Sequence, residues 1–138
     1  MTPAQIARLF YQYFNERRLD EAADLVDPQA SFHYMPTRQH LVGRAGYRAL
    51  VAAWLHAFGD AQLEIQSVAA DGGIVQVDFL GRGTHTGDLV LGDAVSIPAT
   101  GRTADLPFRD RLDIRDGRIV SSELDFDLEE MQRRLIGP

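Results

Sequence analysis

Three carboxylates close the last strand-like run of the chain at a spacing that chemistry can use. Glu123, Asp125 and Asp127 stand two residues apart between Ile119 and Asp127, so an extended backbone turns all three to one face. Neighbouring negative charges and burial both raise a carboxylate's pKa. A carboxylate raised in this way can take a proton from carbon beside a carbonyl. Three acids on one face suit a packed core badly, so they are expected at the mouth or floor of a cavity. Asp127 also precedes a helical pattern from Leu128, where aspartate is a good N-cap. Glu123 and Asp125 have an alternative role as charges that keep an exposed strand from aggregating. Two further candidates lie upstream. His85 sits in Gly81-Arg-Gly-Thr-His-Thr-Gly87, and Asp110 faces the acidic strand across the Asp116-Gly117 turn. A protonated acid, His85 or a tyrosine could donate to an enolate oxygen. Arg109 and Arg111 read as a solvated charge ladder or as ligands for a substrate carboxylate, and His33 and His40 are weaker candidates.

Composition removes other chemistries. The 138 residues contain no cysteine and no lysine, which excludes thiolate nucleophiles, disulfides, thiolate-held metals and lysine Schiff bases. Four scattered histidines form no His-x-x-x-His pair, the acids lack a calcium-loop spacing, and no glycine loop leads into a helix as phosphate binding requires. No metal is expected. The net charge is −6, and the first 60 residues balance six arginines against six acids, so all of the excess lies in the second half. That distribution disfavours nucleic acid and anionic membranes as partners. No apolar run is long enough to span a bilayer, and Met1-Thr-Pro-Ala-Gln does not open a signal peptide, so a cytoplasmic protein is the expectation.

The elements that must position these residues follow in order. Thr2-Pro3 caps a helix with Ile6, Leu9, Phe10, Tyr13 and Phe14 on one stripe. Asp20 is expected to cap a short helix from Glu21 to Val26, and Ala30 to Met35 reads as a strand with Phe32 and Tyr34 on one parity and His33 and Met35 on the other. Thr37 to Val42 reads as a polar connection. A third helix follows Gly43 and carries Tyr47, Leu50, Val51, Trp54, Leu55 and Phe58, with His56 off the stripe. Strands follow around Leu63 to Val68, over Ile74 to Thr84 with Phe79, over Arg102 to Arg115 with Phe108, and over Arg118 to Phe126. Residues 86–101 read as a long loop or broken hairpin, and Leu128 to Ile136 as a closing helix. One domain over 1–138 is expected, an α+β fold whose helices cover a strongly curved antiparallel sheet and leave a pocket between. Phe10, Phe14, Tyr34, Trp54, Phe58, Phe79 and Phe108, with Glu123 and Asp125, are the expected pocket wall. Leu124 and Phe126 are expected on the outer face, as a candidate dimer interface.

Gly83-Thr-His-Thr-Gly87, Pro98-Ala-Thr-Gly-Arg102, Asp116-Gly-Arg-Ile119, Asp127 and Leu135-Ile-Gly137, in this order, resemble the SnoaL-like polyketide cyclases of the nuclear-transport-factor-2-like (NTF2-like) superfamily. The resemblance covers essentially the whole chain. It implies a cone of curved sheet wrapped around three N-terminal helices, with a short C-terminal helix. It also implies a homodimer, and cofactor-free intramolecular aldol closure of a polyketide-like ring. The family's acid/base aspartate matches Asp127, and the Gly-Thr-His histidine matches His85. In the related ketosteroid isomerases the first-strand base position is Tyr34 here, and Asp110 falls where they keep a protonated aspartate. The expected catalytic set is therefore Asp127, His85 and Asp110, acting on a small hydrophobic or aromatic molecule. The alternatives are a non-catalytic binding module, and an epoxide hydrolase or isomerase built on Asp110, Arg109 or Arg111, and Asp127.

Overall fold

Apolar residues recur at helical spacing up to about Phe58 and mostly alternate from Leu63 to Phe126, and this division sets the architecture. The computed structural model describes residues 1–137. Helix α1 (Pro3–Asn15) opens on a reciprocal capping box: the Gln5 amide donates to Thr2 Oγ1 at 3.2 Å, and the Thr2 amide donates to Gln5 Oε1 at 2.8 Å. Its buried face is Ile6, Ala7, Phe10, Tyr11 and Phe14, so Tyr11 takes the place expected of Leu9 and Tyr13. Helix α2 (Leu19–Asp24) starts early enough that Asp20 lies in its first turn instead of capping it.

Strand β1 (Val26–Tyr34) begins four residues before the expected Ala30 and runs through Pro28. Proline is tolerated there because the pairing of β1 is irregular between Val26 and Ser31, where no ladder donor is missed. The expected polar connection is instead β2 (Gln39–Val42), antiparallel to β1. Helix α3 (Gly43–Ala57) ends at Phe58, whose amide donates to the Trp54 carbonyl. Strands β3 (Gln62–Asp71) and β4 (Ile74–Thr84) follow. Residues 86–101 contain a small hairpin, β5 (Leu89–Leu91) and β6 (Val95–Ile97), with all four of those terminal residues buried. Strands β7 (Thr103–Arg115) and β8 (Arg118–Asp125) lead to α4 (Leu128–Ile136).

The main sheet has the order β2-β1-β8-β7-β4-β3, and β1 joins β8 in parallel where an all-antiparallel sheet was expected. Irregularities between Ile65 and Ser67, and between Asp113 and Ile114, bend the strands in which they fall. Helices α1 and α3 lie on the inner face. Strand β7 alternates strictly, with Ala104, Leu106, Phe108, Asp110, Leu112 and Ile114 buried and their neighbours turned outward. Asp110 is thus the one charged residue that this alternation carries inside. No helix is long and apolar enough to cross a membrane among the described residues.

Candidate active site

Between the helices and the inner face of the sheet lies a cavity of about 120 Å³. Phe10 and Phe14 reach it from α1, Trp54 and Phe58 from α3 and its end, Tyr34 from β1, Phe79 from β4 and Phe108 from β7. The Phe79 and Phe108 rings stack with centroids 5.2 Å apart, as cross-strand partners on one face. Against this apolar wall stands a single carboxylate among the described residues, Asp110, which is only 6 % exposed. Tyr11 donates its phenol proton to Asp110 Oδ2 at 2.5 Å, and Ser122 donates to Oδ1 at 2.7 Å. Helix α1 and strand β8 therefore clamp the carboxyl from two sides. Burial pushes the Asp110 pKa up to about 6, and the two donated hydrogen bonds oppose that rise by favouring the charged form. The Tyr11 phenol is held well above its usual pKa, first by burial and then by the charge of Asp110.

Pairing of β7 with β8 and of β8 with β1 places Asp110, Leu124 and Tyr34 on one row across the sheet. The Tyr34 oxygen accepts the Trp54 indole N–H at 2.5 Å. Burial raises the pKa of Tyr34, which keeps it a protonated phenol. Tyr47, on α3, also lines the cavity, as does Ser122. Tyr11, Tyr47 and Ser122 were missing from the expected site. Ala7 and Tyr11 stand four residues apart beside the Ile6, Phe10 and Phe14 stripe, which was the available sign for Tyr11. Ser122 has the parity of Leu124 and Phe126, which was the sign for it.

The remaining expected residues are elsewhere. Glu123 and Asp125 lie on the outer face, registered against Arg111 and Arg109. Leu124 lines the cavity, and Phe126 is buried edge-on against Tyr34 and Trp54. The parity separated the two sets correctly, but their faces are exchanged. Turning the acids inward would bury three charges while exposing two large apolar side chains. The apolar outer patch expected at Leu124 and Phe126 is therefore not formed. Arg109 pairs with Asp78 at 2.7 Å on the outer face, and no arginine lines the cavity among the described residues, so an Asp–Arg–Asp arrangement with Asp110 is not assembled. His33 and His40 stack on each other across β1 and β2, with centroids 4.3 Å apart.

Asp127 is exposed and caps α4, its Oδ1 accepting the Glu130 amide at 3.0 Å. The capping role weighed from sequence is thus the one its geometry serves. Asp127→Ala is expected to cost about 1 kcal/mol, the usual worth of such a cap. Urea unfolding checks this as a lower midpoint with an unchanged slope. His85 is fully buried outside the cavity. Its ring stacks on Phe58 with centroids 5.2 Å apart, and its Nδ1 pairs with Thr100 Oγ1 at 3.0 Å. Nε2 has no partner of hydrogen-bond geometry. Burial lowers the His85 pKa, against a weaker opposite pull from the Ile97 carbonyl and Asp88. Phe58, on which it stacks, lines the cavity, and His85 itself does not.

Residues 7–122 match the SnoaL-like domain family model. Among solved structures, the chain is similar to a candidate polyketide cyclase from Xanthomonas campestris pv. campestris, with 20 % identity, a TM-score of 0.80, and coverage of 96 % of this chain and 95 % of that one. It is similar to IdmH, a candidate polyketide cyclase from Streptomyces antibioticus, with 25 % identity, a TM-score of 0.79, and coverage of 97 % and 98 %. It is also similar to AclR, a candidate hydroxylase from Streptomyces galilaeus, with 20 % identity, a TM-score of 0.79, and coverage of 99 % and 82 %. No curated protein matches the chain. The six-stranded sheet, the helices on its inner face and the match over residues 7–122 together place the chain in the SnoaL-like domain family, on the NTF2-like fold.

Proposed function

We propose that the protein is a cofactor-independent enzyme of proton transfer at carbon, acting on a small, largely aromatic molecule, with Asp110 in the role of base. The observation that carries this reading is the buried Asp110 carboxyl, held by Tyr11 and Ser122 at the wall of an otherwise apolar cavity. A carboxylate with a pKa of about 6 is mostly ionised near neutrality, yet basic enough to accept a proton from carbon beside a carbonyl. In an intramolecular aldol closure, Asp110 takes the α-proton and the C–H electron pair becomes the enolate. The enolate carbon bonds to a second carbonyl carbon, and the resulting alkoxide recovers the proton from Asp110. Atoms and charge balance without any further reagent. Cyclisation of a polyketide-like substrate is the form of this chemistry that the family favours.

The pH dependence tests the reading. Because the ionised form is active, deuterium exchange into 2-tetralone in heavy water, followed by NMR, is expected to rise through about pH 6 and level off above it. A rate flat down to pH 4.5 removes Asp110 as the base. A loss on Asp127→Ala as large as that on Asp110→Asn would restore the sequence-based assignment. Binding without turnover is the second reading, favoured by the placement of Asp127 and His85 outside the cavity. Saturable tetralone binding with no enzyme-dependent exchange selects it.

A further inference from the structure

Tyr34 accepts a hydrogen bond where a buried phenol usually donates one. Indole nitrogen is a donor only, so the bond from Trp54 Nε1 occupies an oxygen lone pair of Tyr34 and leaves its proton unused. That hydroxyl makes no other hydrogen bond among the described residues, while the residue is 6 % exposed and lines the cavity. The one carboxylate that lines the cavity among the described residues, Asp110, is already engaged by Tyr11 and Ser122. Tyr34 and Asp110 stand two strands apart on one row, about 10 Å at the backbone. An accepted hydrogen bond strengthens the bond a hydroxyl donates in turn. No arginine, lysine or histidine lines the cavity among the described residues, so an anionic ligand would meet no counter-charge.

We infer that Tyr34, with its oxygen held by Trp54, is the donor that takes the ligand's carbonyl oxygen, and that the cavity selects uncharged aryl ketones over carboxylates or phosphates. This deepens the function proposed above. It rests on the cavity being the ligand site, but not on Asp110 acting as base. In the proposed reaction the same proton would face the enolate oxygen while Asp110 works at carbon.

The test uses 1-tetralone labelled with carbon-13 at the carbonyl, tetralin as its carbonyl-free analogue, and 1-naphthoate as an anionic one. Binding is measured by calorimetry, and the bound carbonyl stretch by infrared difference spectroscopy. In the wild type the stretch is expected below its value in an apolar solvent. Tyr34→Phe should return the stretch to that value and weaken tetralone binding about tenfold, the scale of one buried hydrogen bond, with tetralin binding unchanged. Trp54→Phe should reduce the shift without removing it, and Tyr47→Phe and Asp110→Asn should preserve it. A shift that survives Tyr34→Phe, a shift lost only in Tyr47→Phe, or naphthoate binding as tightly as tetralone overturns the inference. Retained exchange activity with no carbonyl shift overturns it while leaving Asp110 as base. Absence of binding by both tetralone and tetralin overturns it together with the cavity as ligand site.

Discussion

Asp110→Asn is expected to lose at least ~100-fold in proton-transfer rate while becoming more stable than the wild type at pH 8. The two effects have one cause. The substitution keeps the shape and the partners: an amide oxygen still accepts from Tyr11, and the amide NH₂ meets a Ser122 hydroxyl able to accept. Only the charge is lost, and with it the base. The folded pKa of about 6 lies above the unfolded value, so the fold binds the Asp110 proton more tightly than the unfolded chain does. The stability that this carboxyl contributes is thus fully present below about pH 4 and is lost as pH rises through about 6. Above that range the buried charge costs on the order of 3 kcal/mol, and asparagine escapes that cost. The two proteins should have similar unfolding free energies at pH 4 and diverge by pH 8 in favour of the variant. Urea unfolding at pH 4, 6 and 8 measures the divergence. A constant difference across pH would show that Asp110 carries no burial penalty, and a rate within a few-fold of wild type would remove it from catalysis. A site residue that destabilises its own fold is what stored catalytic potential looks like in stability data.

Asp110 was legible in the sequence. It shares the parity of Phe108, Leu112 and Ile114, so strand alternation alone carries it inside between two outward arginines. Most of the aromatic wall was legible for the same reason, from period-two and period-3.6 spacing. What alternation does not supply is the sign of the face. In β8 the spacing separates the acids from Leu124 and Phe126, but only the cost of burying three charges while exposing two large apolar side chains decides which set turns inward. His85 was misplaced for a different reason. Leu89, Leu91, Val95 and Ile97 alternate about Gly92-Asp93, a hairpin signature masked by the glycines and the proline around it. Once that hairpin forms, His85 is fully buried against Phe58 and does not line the cavity. The Tyr11 partnership with Asp110 spans 99 residues, and no local pattern encodes such a contact.

Gly87→Ala is the substitution outside the cavity expected to do most harm, at about 3 kcal/mol or more. The chain leaving β4 crosses the end of α3 so closely that a Cβ on Gly87 would lie 2.0 Å from the His56 carbonyl oxygen and 3.5 Å from the Ala57 Cα. Both obstacles are backbone, so no side-chain rotation relieves them. The same crossing satisfies the helix terminus: the amides of Thr86 and Gly87 both donate to the Ala57 carbonyl, at 3.0 and 3.1 Å. A methyl group there forces the two segments apart and strips hydrogen bonds from a fully buried residue, two costs that add. The effect should reach the cavity, because α3 carries Trp54 just before this end and Phe58 just after it. A fall in melting temperature of roughly 10 °C is expected, with weaker tetralone binding in the protein that remains folded. Gly72→Ala calibrates the result. Its backbone is left-handed at φ +59° but its Cβ meets open space, so it should cost only about 1 kcal/mol and leave binding intact. Equal losses from the two substitutions would mean that α3 and the strand yield to each other freely, and that the cavity wall is not braced at this crossing.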